Sequence, residues 1–204
     1  MKGKTHAAVG TSVFVFLCNI LPGKFGLINL VFAIIGSLLP DIDHPKSFVN
    51  RYLLPFRNQA TKVTLFCSLG ILMLYLDSIF NNVPILKIIG ISLILIGVST
   101  HRMGLTHSLL GLIIFSVVLS FFANIYELIY VEFYFFFSFF LHLICDMCTK
   151  RGVPLFYPFS NKKYKLPLTF TTGSFIGNFL EGAIIVLSIG YAGYNLGRLF
   201  DIFK

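Results

Sequence analysis

Histidines and carboxylates recur at the ends of the apolar segments of this chain, although the segments lie far apart in the sequence. In chain order they are His6, Asp41, Asp43, His107, His142, Asp146 and Glu181. An ionised side chain at membrane depth is costly, so such residues usually face a protein interior or an aqueous cavity and have a function there. Imidazole nitrogens and carboxylate oxygens are also the ligands of divalent metal ions. The pattern therefore predicts a metal site on one side of a membrane.

The most specific pattern is the pair His142 and Asp146. A spacing of four residues places both side chains on one face of a helix, one turn apart. Both could then bind one ion, or Asp146 could orient His142 from the second shell.

Within the same stretch, Cys145-x-x-Cys148 could be a redox or zinc pair. The apolar context favours small residues that fill the end of a helix, and the scattered cysteines show no disulfide framework.

The second pattern is an acidic turn between Pro40 and Pro45, which carries Asp41, Asp43 and His44. Pro40 should end the preceding helix, and Pro45 should stiffen the exit. Carboxylates two residues apart in an extended segment point the same way, which suits paired metal ligation. The alternative is an ordinary polar loop. We favour ligation because acidic residues at this boundary depart from the basic pattern around them.

The third pattern lies at residues 101–110, where two histidines flank an Arg-Met-Gly turn. Thr106 or Ser108 could cap a helix start, which would leave His107 pointing inward as a metal ligand. Arg102 could hold a phosphate or neutralise carboxylates. A hydrogen-bonded anchor is the alternative role for His107.

Glu181, the only acid within the last apolar segment, could be a ligand or a general base.

Composition defines the elements that must position these groups. Of 204 residues, 56% are hydrophobic and 12% are charged, whereas a soluble domain carries about 25% charged residues. We predict an all-α protein, a polytopic transmembrane bundle of about seven helices that forms a single domain over residues 1–204. The predicted spans are 6–21, 25–40, 62–80, 85–100, 105–125, 129–147 and 174–197.

The basic residues predict the orientation of these spans. With the N-terminus inside, twelve of the sixteen lysines and arginines, Lys62 among them, fall on the inner side. Positive loops mark the cytoplasmic face and attract anionic lipid. We therefore assign the net charge of +8 to a partner in membrane lipid and expect no nucleic acid. This orientation brings all seven polar groups to the inner face of a bacterial plasma membrane.

Taken together, these blocks resemble the YdjM family, which is described as inner-membrane-associated metal-dependent hydrolases and named LexA-binding. The matching stretches are residues 38–47, 106–110, 142–146 and 152–155, with His6 and Glu181 as further matches. The family pattern His-Arg-Gly-x-Thr-His is lengthened here by Met103, so the resemblance assigns His107 rather than His101. It implies a multi-helix membrane protein with a hydrolase site distantly similar to zinc phospholipase C-type enzymes. The LexA-binding name has no counterpart in these residues.

The leading hypothesis is a membrane-bound metal-dependent hydrolase that cleaves a lipid-like phosphoester at the cytoplasmic face. One or two divalent ions, zinc or alternatively manganese, would bind His6, Asp41, His107, His142 and Asp146. Glu181 or Asp43 would take a proton from the attacking water, and Arg102 would steady the anionic group. The alternative is a non-catalytic membrane protein, either a metal or proton transporter or a regulatory scaffold. The sequence has no internal repeat of the kind many transporters carry.

Overall fold

A computed structural model describes residues 1–21, 26–80, 82–99 and 104–202, with side chains as far as residue 196. Within these residues all named elements are helical, and no strand occurs. The α-helices are α1 (Gly3–Ile20), α2 (Leu27–Leu38), α3 (Asn50–Leu53), α4 (Gln59–Ile79), α5 (Pro84–Val98), α6 (Leu109–Ile125), α7 (Val131–Met147) and α8 (Phe175–Ile202). Two 3₁₀ turns, Pro40–Asp43 and Leu105–His107, follow α2 and precede α6.

The all-α class is confirmed, and each of the seven predicted segments contains one long helix. Local chemistry explains several helix starts. The side chain of Asn58 accepts a hydrogen bond from the Thr61 amide at the start of α4, and Ser108 accepts one from the Gly111 amide at the start of α6. Pro84 occupies the first turn of α5, where its missing N–H costs nothing. The four-residue helix α3 and the two 3₁₀ turns were not predicted.

Among the described residues, two helices are long and apolar enough to cross a membrane, Gln59–Ile79 and Phe175–Leu196. A crossing needs about 20 apolar residues unless the bilayer thins. The helices α2, α5 and α6 are apolar but shorter. Seven crossings with the N-terminus inside therefore stay a prediction.

The chain contains two compact units. Unit 1 comprises residues 1–40, 129–153 and 162–204, and it contains α1, α2, α7 and α8. Its core includes Phe14, Ala33 and Tyr134, which are nearly inaccessible to solvent. Unit 2 comprises residues 41–128 and 154–161, with α3 to α6, the 3₁₀ turn Leu105–His107 and residues 41–43 of the turn Pro40–Asp43. The single domain predicted from the sequence stays a prediction.

In unit 1, α2 crosses α7 so closely that only glycine fits at one position. A Cβ atom on Gly36 would lie 2.4 Å from the carbonyl oxygen of Phe135. That oxygen belongs to the backbone of α7, so it cannot move aside as a flexible side chain would. The close approach at Gly36 also brings the next carbonyl along α2, that of Ser37, against α7.

We expect Gly36→Ala to destabilise the protein by about 1–3 kcal/mol, because overpacking forces the two helices apart. Gly182→Ala in α8 is the matched control, since a Cβ atom there meets nothing within 4 Å and alanine is the better helix former. Thermal unfolding of both variants in detergent would measure the difference. A Gly36→Ala protein as stable as Gly182→Ala would contradict this account of the crossing.

Candidate metal-binding residues

In unit 1, the last two turns of α7 present one imidazole and one carboxylate on the same face. His142 is buried, and its Nε2 lies 3.7 Å from Oδ2 of Asp146. Two ligand atoms that bind one zinc ion tetrahedrally at about 2.0–2.2 Å are themselves about 3.3–3.6 Å apart. The separation of His142 and Asp146 is therefore close to that of two ligands of one ion.

A second imidazole in unit 1 comes from the first turn of α1. The His6 ring is buried and stacks on the His142 ring, with centroids 3.7 Å apart. Its Nε2 lies 3.2 Å from Oδ1 of Asp146, which the Met1 amine also contacts. Among the described residues neither ring nitrogen of His6 makes a hydrogen bond. Each oxygen of Asp146 thus faces a different imidazole. This arrangement suits a carboxylate that bridges two ions, and it also suits one that binds a single ion.

The backbone fixes the proton on His142. The carbonyl oxygen of Ser37 lies 2.8 Å from Nδ1 of His142. A carbonyl can only accept, so Nδ1 must carry the hydrogen, and the lone pair of a neutral ring is then on Nε2. Metal-ligating histidines commonly donate their other N–H to such a carbonyl. Nothing in the sequence marks this bond.

Glu181 lies in α8 and is almost completely buried. The hydroxyl of Thr5 donates to its Oε2 at 3.3 Å, whereas Oε1 makes no hydrogen bond among the described residues. Since Thr5 directly precedes His6 in α1, one short segment contacts both the carboxylate and the stacked imidazoles. Thr5 was not among the predicted residues.

In unit 2, the acidic turn after α2 is a 3₁₀ helix, Pro40–Asp43, and our expectation of an extended segment was wrong. A 3₁₀ helix has three residues per turn, so side chains two residues apart point in directions about 120° apart around its axis. Pro40 favours this because its fixed φ suits a helical start. Asp41 and Asp43 therefore approach His107 from different sides.

Asp41 lies beside one nitrogen of the His107 ring, and Asp43 lies beside the other. Oδ1 of Asp41 lies 3.7 Å from Nε2 of His107, and Oδ2 of Asp43 lies 3.5 Å from Nδ1. Thr106 donates its hydroxyl hydrogen to Oδ2 of Asp43 at 2.6 Å. Asp43, which has no exposed surface, thus favours a proton on Nδ1. The Nε2 of His107 and the carboxylate of Asp41 are spaced as two ligands of one ion would be.

Local hydrogen bonds hold the segment that carries His107 and the acidic turn that faces it. Leu105–His107 forms a 3₁₀ turn rather than the start of a helix, and Ser108 caps α6 directly after it. On the acidic side, the amide of Asn50 donates to the carbonyls of Ile42 and His44, at 2.6 and 2.9 Å. Asn50 was also missed from the sequence, because an asparagine eight residues from its acceptor belongs to no recognisable motif.

Two further groups were singled out in the sequence. His101 and Arg102 lie outside the described residues. Cys145 and Cys148 form no disulfide, either with each other or with Cys18 and Cys67. The alternatives for the C-x-x-C pair, a redox or zinc pair or small residues that fill the end of a helix, stay open.

A family model described as YdjM inner membrane protein matches residues 1–199. The chain belongs to this family. A search of curated proteins found no match, and a search of solved structures found none either.

Membership in the YdjM family agrees with the membrane protein predicted from composition, and two helices could serve as membrane spans. Among the described residues, each unit taken by itself offers an aspartate and a histidine whose ligand atoms could hold a metal ion: Asp41 and His107 in unit 2, and His142 and Asp146 in unit 1. These observations establish candidate ligands in a chain of this family. Neither the metal nor a reaction follows from the family description.

Proposed function

We propose that this chain is a membrane-bound hydrolase that uses one or two divalent metal ions to cleave a phosphoester of a lipid-like substrate. His6, His142 and Asp146 would bind metal in unit 1, and Asp41 and His107 in unit 2. The reaction would take place at the cytoplasmic face, where the sequence predicts the polar ends of the helices.

One observation carries this proposal. His107 and His142 each place Nδ1 beside an oxygen acceptor, Asp43 Oδ2 or Ser37 O, and each places Nε2 3.7 Å from a carboxylate oxygen. Outer-shell acceptors of this kind set the tautomer and raise the basicity of metal-ligating histidines. A histidine with only a structural role does not need an acceptor beside Nδ1 and a carboxylate near Nε2, yet this pairing occurs in two separate segments. The donor set of nitrogen and oxygen fits zinc best, with manganese as the alternative.

A divalent ion in such a site supplies Lewis acidity toward the phosphoryl oxygens and lowers the pKa of the attacking water. The chain would supply the base that takes the proton from that water. Glu181 suits this role because its Oε2 is held by Thr5 while Oε1 makes no hydrogen bond among the described residues. Asp43 suits it less, because the Thr106 hydroxyl already donates to its Oδ2. Arg102 would steady the anionic substrate.

The surface of unit 1 supports an anionic lipid as the substrate. The segments after α7 carry basic side chains that are all exposed: Lys150, Arg151, Lys162, Lys163 and Lys165. Large apolar side chains follow them along the chain, and Leu168 is 88% and Phe175 89% exposed. Basic residues near a membrane attract anionic headgroups by about 1 kcal/mol each, and the exposed apolar residues would enter the headgroup region.

Metal analysis of the detergent-purified protein, followed by a panel of phospholipid and isoprenyl phosphoesters, tests the proposal. We expect bound divalent metal, chelator-sensitive release of phosphate or headgroup, and loss of both in an Asp41→Ala/His142→Ala double variant. Unchanged metal content in that variant would refute the proposal. Metal binding without turnover of any phosphoester would favour a transporter or scaffold instead.

A further inference from the structure

Lys62, near the start of α4, is the one lysine with no exposed surface among the described side chains. The sequence counts it among the loop charges of the inner side, whereas the structure places it within α4 and buried. Its ammonium donates to three backbone carbonyls, those of Asp43 at 3.2 Å, Ile96 at 2.9 Å and Ser99. An ammonium has three donors, so all of them are used and none remains for a substrate.

Two of the three carbonyls lie at the C-terminal end of α5 (Pro84–Val98). The last carbonyls of a helix have no partner within it, and the helix dipole makes this end negative. Lysine side chains can satisfy such carbonyls. Here the lysine comes from the neighbouring helix α4 instead of from α5 itself. Lys62 therefore caps α5 from outside.

The third carbonyl belongs to Asp43, in the 3₁₀ turn Pro40–Asp43. One ammonium thus ties the acidic turn to the end of α5. The carboxylate of the same Asp43 accepts the Thr106 hydroxyl and lies beside Nδ1 of His107. The backbone oxygen of Asp43 is therefore anchored on one side and its carboxylate on the other, which leaves the turn that carries Asp41 little freedom.

We propose that Lys62 is the positioning residue of the ligand pair Asp41 and His107, and that it holds the acidic turn in its binding conformation before any metal arrives. The effect on metal binding rests on the proposed function, whereas the anchoring of the turn does not. A site whose ligands are held in place loses less conformational entropy when the ion binds.

Hydrogen exchange of the metal-free, full-length protein in detergent tests the anchoring, and zinc titration tests its effect on the site. In Lys62→Met, whose side chain is nearly as long but has no donors, we expect faster exchange over residues 40–50 and 94–99 and zinc affinity about 10–100-fold lower, as for the loss of an outer-shell partner. The matched control is Lys87→Met on α5, whose lysine is 48% exposed and pairs with Asp77; it should change neither quantity.

Each result has a distinct meaning. Unchanged exchange over residues 40–50 in Lys62→Met would overturn the proposal. If the wild type binds no zinc but Lys62→Met still speeds exchange only in those two segments, the hydrolase proposal fails and the anchoring role stands. Should Lys62→Met unfold throughout, Lys62→Arg decides, because arginine keeps the charge and the donors. Protection of both segments in Lys62→Arg, or loss of protection confined to them, supports the proposal, and unfolding throughout in Lys62→Arg as well overturns a role specific to the acidic turn.

Discussion

Asp146→Asn will bind divalent metal more than about 100-fold more weakly than the wild-type protein. This loss of affinity is larger than the loss expected when an outer-shell partner is removed. The reason is that Oδ1 and Oδ2 of Asp146 each face an imidazole, His6 at 3.2 Å and His142 at 3.7 Å. Asparagine replaces one of those oxygens by an NH₂ group and removes the charge, while it keeps the shape of the side chain. Zinc titration of the purified protein and metal content after dialysis measure the loss.

Glu132→Gln is the matched control, because it also neutralises a carboxylate on α7, at the opposite end of the helix. It should leave the metal content unchanged. The wild-type stoichiometry adds a second result. Two ions that are both lost in Asp146→Asn would indicate a bridging carboxylate, and one ion would indicate a single site. Full metal content in Asp146→Asn would contradict the role of Asp146 as a ligand.

Glu181→Gln will keep its metal but slow hydrolysis by about 10²–10⁴-fold, the usual contribution of a general base. Glutamine preserves the hydrogen bond from Thr5, so the fold and the ligands near it should stay intact. What is lost is an oxygen able to take a proton. The measurement is kcat and KM at saturating metal with the best phosphoester of the panel, and KM should change little.

Thr5→Ser, which keeps the hydroxyl that donates to Glu181, is the control and should retain most of the activity. A Glu181→Gln variant that loses metal in proportion to its rate would instead identify Glu181 as a ligand. That outcome would transfer the role of base to Asp43, the other carboxylate predicted for it.

Much of the fold could be predicted because the apolar runs are long and separated by polar turns. A run of this length has few alternatives to a helix, and all seven runs contain one. The pair of His142 and Asp146 was equally accessible, since a spacing of four residues places two side chains on one face of any helix. Such inferences need only local geometry.

The contacts that position the ligands could not be predicted, because they join distant residues through the backbone. Ser37 acts on His142 through its carbonyl, and Lys62 binds three carbonyls from two other segments. Every residue has a carbonyl, so the sequence does not mark which ones remain unpaired after folding. The 3₁₀ turn at Asp41 was missed because a proline-flanked acidic segment is compatible with both extended and helical backbone.

The acceptors beside Nδ1 of His142 and of His107 differ in how easily mutation can remove them. The oxygen beside His142 belongs to the main chain at Ser37, so a substitution at that position leaves it in place. The oxygen beside His107 belongs to the side chain of Asp43, and a single codon change eliminates it. Natural drift or laboratory evolution could therefore tune the imidazole of His107 through position 43, whereas that of His142 is protected from comparable adjustment.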